Sequence, residues 1–231
     1  MKKYKHIYFD LDHTLWDFEK NCAETLSELF VYYNFSNLGI AQKDFIEAYQ
    51  KVNYQMWDDY NQKRITKSQI RSERFGNTFE LLGLPRNLTP LDLNEKFLEI
   101  CPSKRNVIPF AHEVLTYLSD KKYSLHIITN GFKETQHIKI SAGNLNHYFD
   151  RVINSELCGF SKPDKKIFDY ARNLSGAECK ECIMIGDDLY TDILGAKNAG
   201  MDSVFYNPKK IKHIENSTYE VSCLSELLKI F

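Results

Sequence analysis

In the stretch HIYFDLDHT, Asp10 and Asp12 close an apolar run, and in extended backbone residues two apart point the same way. Two adjacent carboxyl groups can divide the work of phosphoryl transfer. One, ionised, attacks phosphorus and forms an aspartyl-phosphate; the other protonates the leaving oxygen and then activates water. Further polar residues end two more apolar runs, Thr129 in HIIT and Asp187 in MIGDD, and Lys162 lies in the loop GFSKPDKK. Asp10, Asp12 and Asp187 form a hard oxygen site suited to Mg²⁺. The Lys162 ammonium, the hydroxyls of Thr14 and Thr129 and the backbone N–H groups around Asn130 and Gly131 suit phosphate oxygens. This division of labour requires a higher pKa at Asp12 than at Asp10. Coordination would keep Asp10 ionised, whereas Asp12, offering a metal only its backbone carbonyl, would stay protonated.

Such residues need a scaffold that gathers them. From Asn21 to about Pro102 the apolar spacing is helical, with Leu26, Leu29, Phe30 and Tyr33 on one stripe and Phe45, Ile46, Tyr49, Val52, Met56, Trp57 and Tyr60 on another. Thr66 with Gln69 makes a capping box for a helix that stops near Gly83, and Thr89-Pro90 reads as an N-cap followed by an N1 proline. After that the chain alternates: a helix from Pro109, then SLHIITNG, KETQHIKISAG, RVINSE, KKIFDYARNLSG, CIMIGDD, TDILGAKNAG and DSVFYN. Alternating strands and helices imply right-handed crossovers and a parallel sheet covered on both faces. The opening strand, residues 4–10, must join that sheet. The expected fold is a doubly wound, Rossmann-like α/β core of residues 1–15 and 106–231, with an all-helical domain, 16–105, inserted after the first strand. In such sheets the carboxyl ends of the strands share one ligand-binding edge, so the four polar motifs meet there.

Lys and Arg total 30 against 31 Asp and Glu, a net charge of −1, so no global field recruits nucleic acid or anionic membrane. No run approaches the length of a membrane span and the first residues do not form a secretory signal, which leaves a cytoplasmic location as the expectation. The CKEC pair at Cys179 and Cys182 lacks a second pair to complete a zinc site, and the six cysteines read as reduced thiols.

In order, DLDHT, ITNG, KP and GDDLYTD resemble the motifs of the haloacid dehalogenase (HAD) superfamily of phosphohydrolases, with the helical insertion of its subclass I cap. The resemblance implies Asp10 as nucleophile, Asp12 as general acid and base, and Thr129 and Lys162 as holders of the transferring phosphoryl. It implies Mg²⁺ on Asp187, the Asp10 carboxylate and the Asp12 carbonyl, with Asp188 or Asp192 supporting the site. Asp12 points to the phosphatase branch, because the dehalogenases lack this second aspartate and need no metal. The stretch VNYQMWDDYNQKRITKSQIRSERF, with ITNGF and KPDKKIFDYA, is similar to the pyrimidine 5′-nucleotidase group, which hydrolyses UMP, dUMP, dTMP and modified pyrimidine nucleotides. One departure is NQKRIT, where that group often has a glycine near Lys63.

The expected protein is therefore a Mg²⁺-dependent 5′-nucleotidase, monomer or homodimer, with a helical cap that chooses the substrate. If the cap reads a base, Asn53, Trp57, Arg74 and Phe132 are candidate contacts, although Arg74 taken alone reads as a surface cation or an ion-pair partner and Trp57, Tyr60 and Phe75 as core. Alternatives on the same residues are a phosphosugar phosphatase or phosphomutase and, outside enzymes, a signalling module that merely accepts phosphate on Asp10. The large helical insertion argues against the last. Asp192, in the first turn of TDILGAKNAG, could equally complement a helix dipole.

Overall fold

The computed structural model describes residues 4–231. The chain divides into two compact units, Met1–Phe18 with Arg105–Phe231, and Glu19–Lys104. The first is built on a six-stranded parallel sheet in the order β3-β2-β1-β4-β5-β6. Its strands are β1 (His6–Phe9), β2 (Ser124–Thr129), β3 (Arg151–Asn154), β4 (Cys182–Gly186), β5 (Asp202–Tyr206) and β6 (Tyr219–Val221). Between them run α5 (Ala111–Asp120), α6 (Lys133–Ala142), α7 (Ser155–Cys158), α8 (Lys165–Ser175) and the consecutive segments Leu189–Leu194, wound as a π-helix, and α9 (Gly195–Asn198). The inner strands are apolar along their length because helices cover both sheet faces; Ile7, Tyr8, Phe9, Ile183, Met184 and Ile185 are all fully buried.

From β1 the chain builds outward through β2 and β3, then returns to the other side of β1 for β4, β5 and β6. The order therefore reverses between β1 and β4. There Phe9 registers with Ile185, and the Asp10 N–H donates to the Ile185 carbonyl at 2.9 Å. The carboxyl ends of these two strands thus lie side by side at a topological switch point, the place where open α/β sheets bind ligands.

The second unit contains most of α1 (Phe18–Tyr32), then α2 (Gln42–Asn61), α3 (Lys67–Leu81) and α4 (Leu93–Ile100). It closes on a cluster of buried rings, Phe35, Phe45, Tyr49, Phe75, Phe79 and Phe97. Thr66 and Gln69 form the capping box at the start of α3, and Gly83, at φ 76°, follows its end. Lys63 takes φ 61°, the left-handed conformation that a glycine adopts without penalty, and Arg64 braces the turn against Asp58 and Asp59 at 2.8 and 2.6 Å.

Two local expectations are corrected. Thr89 does not cap α4; it closes the single turn Arg86–Leu88, while Pro90 accepts the Leu93 N–H and the helix begins after Asp92. Helix α5 starts beyond Pro109, at Ala111, because Phe110 stands at φ 69°. The edge strand β6, YEV, was not expected, because it is too short and too polar to show a period.

Candidate active site

Asp10 directly follows β1 and Asp187 directly follows β4, which brings their carboxyl groups to the switch point. Oxygens of Asp10, Asp187 and Asp192 lie within 4.8 Å of one another. Lys162, on the loop between α7 and α8, reaches into this cluster: its Nζ is 2.5 Å from Asp10 Oδ1 and 2.6 Å from Asp192 Oδ1, and its side chain is 2% exposed. Gly186 makes the approach of Asp192 feasible, since a Cβ there would stand 2.2 Å from Asp192 Oδ2.

Electrostatics follow from this crowding. Burial pushes Asp10 up to about 7; Lys162 opposes the shift, while Asp192 and Asp12 add to it. Burial likewise raises Asp187 to about 7, with His13 opposing and Asp10 and Asp188 adding. Asp192 rises to about 6 for the same reason, against the pull of Lys162. Lys162 is held above the ordinary lysine range, because Asp10 and Asp192 outweigh its burial.

Asp12 belongs to a different network. Its Oδ1 accepts from Lys139 Nζ at 2.6 Å and its Oδ2 from Gln136 Nε2 at 2.9 Å. Burial alone would raise its pKa, but Lys139 and then Gln136 hold the carboxyl below the usual range. Without a cation, then, burial holds Asp10 above the usual carboxylate range and Lys139 holds Asp12 below it, whereas the expected order of the pair is that of Asp10 on a metal. Gln136 and Lys139 were missed by sequence reasoning. Their signal was two long polar side chains three apart on the helix that leaves the Thr129 motif.

The residues read as a phosphate cradle are partly committed to one another. Thr14 Oγ1 donates to Asp187 Oδ1 at 3.0 Å. The Gly131 N–H, expected to be free for phosphate, donates to Thr129 Oγ1 at 3.0 Å, which leaves the Thr129 hydroxyl proton available. The Asn130 side chain brackets the Lys162 backbone, donating to its carbonyl and accepting from its N–H, both at 2.9 Å. Asn130 is thus a brace for Lys162. Asp188 caps the following turn, accepting from the N–H groups of Tyr190 at 3.0 Å and Thr191 at 2.6 Å, whereas Asp192 is fully buried in the acidic cluster.

Of the base-contact candidates, Phe132 is buried beside the site at the start of α6, and Asn53, Trp57 and Arg74 belong to the helical unit. Arg74 is not a surface cation. It is 3% exposed, bonds Asn53 Oδ1 at 3.0 Å and Asn94 Oδ1 at 3.2 Å, and lies 4.8 Å from the centre of the Phe97 ring. Trp57 packs edge-on against Tyr60.

A divalent cation fits this site. The donors are hard carboxylate oxygens, and Asp10 and Asp187 carry raised pKa values because crowded buried charges lack enough compensation. Both Asp192 oxygens are engaged, by Lys162 and by the Asp188 N–H at 3.2 Å, so Asp10 and Asp187 are the carboxylates that could hold it.

A profile of haloacid dehalogenase-like hydrolases matches residues 4–200. The chain belongs to the haloacid dehalogenase-like hydrolase family. Among the relatives of this HAD hydrolase is pyrimidine 5′-nucleotidase YjjG of Escherichia coli K12, 34% identical over 228 residues, covering 97% of this chain and 96% of that protein. Glyceraldehyde 3-phosphate phosphatase of Pyrococcus abyssi is 32% identical over 237 residues, covering 98% and 93%. Among solved structures, magnesium-bound YfnB of Bacillus subtilis superposes on this HAD chain with a TM-score of 0.86 at 28% identity, over 99% of each chain.

Proposed function

We propose that this HAD hydrolase is a Mg²⁺-dependent phosphomonoesterase that acts through an aspartyl-phosphate on Asp10 and hydrolyses pyrimidine nucleoside 5′-monophosphates. The observation that carries the reading is the placement of Asp10 at the switch point, one oxygen against Lys162 and Asp187 beside it. The similarity to YjjG favours the nucleotide.

In this reading an Asp10 oxygen attacks phosphorus and the bond to the ester oxygen breaks, with the proton for the departing alcohol coming from the Asp12 carboxyl. Asp12 then takes a proton from the water that attacks the acyl phosphate, which restores Asp10 and releases inorganic phosphate. Lys162 and the Thr129 hydroxyl hold the phosphoryl oxygens. Asn130 holds Lys162, Thr14 holds Asp187, and Asp192 shares the Lys162 charge. Mg²⁺, held by Asp10 and Asp187, would supply charge neutralisation for the transferring group. Catalysis of this kind is mainly positioning and electrostatics.

A phosphosugar phosphatase is the second reading, favoured by the similarity to the Pyrococcus enzyme. A phosphate-release screen separates the two. Faster turnover of UMP, dUMP or dTMP than of glyceraldehyde 3-phosphate, abolished by EDTA and restored by Mg²⁺, supports the nucleotidase; the opposite ranking supports the sugar phosphatase. No release from any phosphate ester overturns both.

A further inference from the structure

Asp12 is gripped from a single helix. Both of its carboxylate oxygens are engaged by α6 residues one turn apart, Gln136 on Oδ2 and Lys139 on Oδ1. The lysine is committed to this contact: its side chain is 8% exposed and its ammonium stands 4.8 Å from the centre of the Trp16 ring and 5.5 Å from that of Phe18. Withdrawing an ammonium from water is costly, and only a well-made pair offsets it. Asp12 itself remains 22% exposed, so lone pairs on its open side can take a third partner. The grip also depends on Gly131, because a Cβ there would stand 1.5 Å from Gln136 Nε2. Asp10 touches neither of these residues; its partner is Lys162. Two aspartates one residue apart are therefore anchored by independent networks.

We propose that Gln136 and Lys139 are positioning residues that fix the Asp12 carboxyl for proton transfer to the leaving-group oxygen. The inference rests on the reading of Asp12 as proton donor; Lys139 favours the ionised carboxylate, so its part in donation is to orient the carboxyl and to make it a stronger acid once protonated. A carboxyl on a short side chain can rotate; a two-point grip leaves it one orientation. Displacement of a reacting group by about 1 Å costs on the order of 10²-fold in rate. The loss must scale with the leaving group's need for a proton, which is large for the 5′-alcohol of a nucleotide and small for p-nitrophenol.

The test measures kcat/KM for dTMP and for p-nitrophenyl phosphate in the Mg²⁺-loaded full chain, as wild type, Lys139→Met, Lys139→Arg, Gln136→Met and Asp12→Asn. Lys139→Met should lower kcat/KM for dTMP by about 10²-fold, a loss at least roughly tenfold greater than for the aryl ester. Lys139→Arg should recover most of it, and Gln136→Met should shift the ratio of the two esters in the same direction. Equal losses on both esters, or no loss on either, overturn the proposal. Asp12→Asn locates a failure: if it discriminates between the esters and the α6 variants do not, the grip has no positioning role. If Asp12→Asn does not discriminate, the reading of Asp12 as donor falls, and the inference with it. Circular dichroism identifies the folded variants, and Gln136→Met and Lys139→Arg carry the test if Lys139→Met does not fold.

Discussion

Replacing Lys162 by Met keeps most of the length of the side chain and removes its ammonium. The Asn130 side chain still brackets the backbone of residue 162, so the loop should stay in place. What remains is Asp10 and Asp192, both buried, each having lost an ammonium at 2.5 or 2.6 Å. Breaking a buried ion pair from one side costs about 3–5 kcal/mol, because the surviving charge has no partner. The cost must depend on pH in a defined direction. With Lys162 present, Asp10 sits at about 7 and Asp192 at about 6, above the ordinary carboxylate value of 3.8, and loss of the cation raises both further. Between the unfolded and folded pKa values the folded state binds more protons than the unfolded one, so the stability of the variant falls as pH rises through this window. The variant should therefore lose about 3–5 kcal/mol relative to wild type at pH near 8 and less than about half of that at pH near 5, where protonated carboxyls no longer need the cation. Urea unfolding at the two pH values, in EDTA so that no metal substitutes for the lysine, measures the difference. A loss that is constant across this range, or larger at the acid end, would refute the reasoning.

The site is not the only place where burial makes a forecast. His126 is 2% exposed, stacked against Tyr8, with its Nε2 3.2 Å from His6 Nδ1, and burial with the neighbouring His6 lowers its pKa to about 4 from 6.5. The unfolded chain takes up this proton first, so stability should fall by about 2–3 kcal/mol as pH drops from near 6.5 to near 4; thermal melts of wild type and His126→Phe should converge across that window, and parallel curves would contradict it. Lys63 occupies a glycine conformation at φ 61°, so Lys63→Gly should raise stability by roughly 0.5–1 kcal/mol, read as a shift of the urea midpoint.

Much of the α/β core was legible because its signals are local. The strands around Tyr8, Ile127 and Met184 are apolar on both faces, and each run ends on a polar residue, so the edge where Asp10, Thr129 and Asp187 gather could be read before any coordinates. What the sequence concealed lies in pairings across long separations. Lys139 finds Asp12 across 127 residues and Asn130 finds the Lys162 backbone across 32, and no periodicity encodes either contact. The pull of Lys139 on the Asp12 carboxyl went unread for that reason. The burial of Arg74, read as a surface cation or an ion-pair partner, was concealed because an arginine among helical residues carries no mark of it; its solvent is replaced by Asn53, Asn94 and three aromatic rings. Asp188 and Asp192 looked equivalent until the turn was seen, where one caps the backbone and the other faces Lys162.

The central claim is that Asp10 carries the phosphoryl group in mid-reaction. Rapid acid quench during steady-state turnover of the Mg²⁺-loaded protein, followed by peptide mass spectrometry, tests it directly. An acid-stable, base-labile phosphate is expected on the peptide containing Asp10 and not in Asp10→Asn, which should also have lost turnover while keeping its fold. Undiminished turnover in Asp10→Asn, or a phosphate found on another residue, would contradict it.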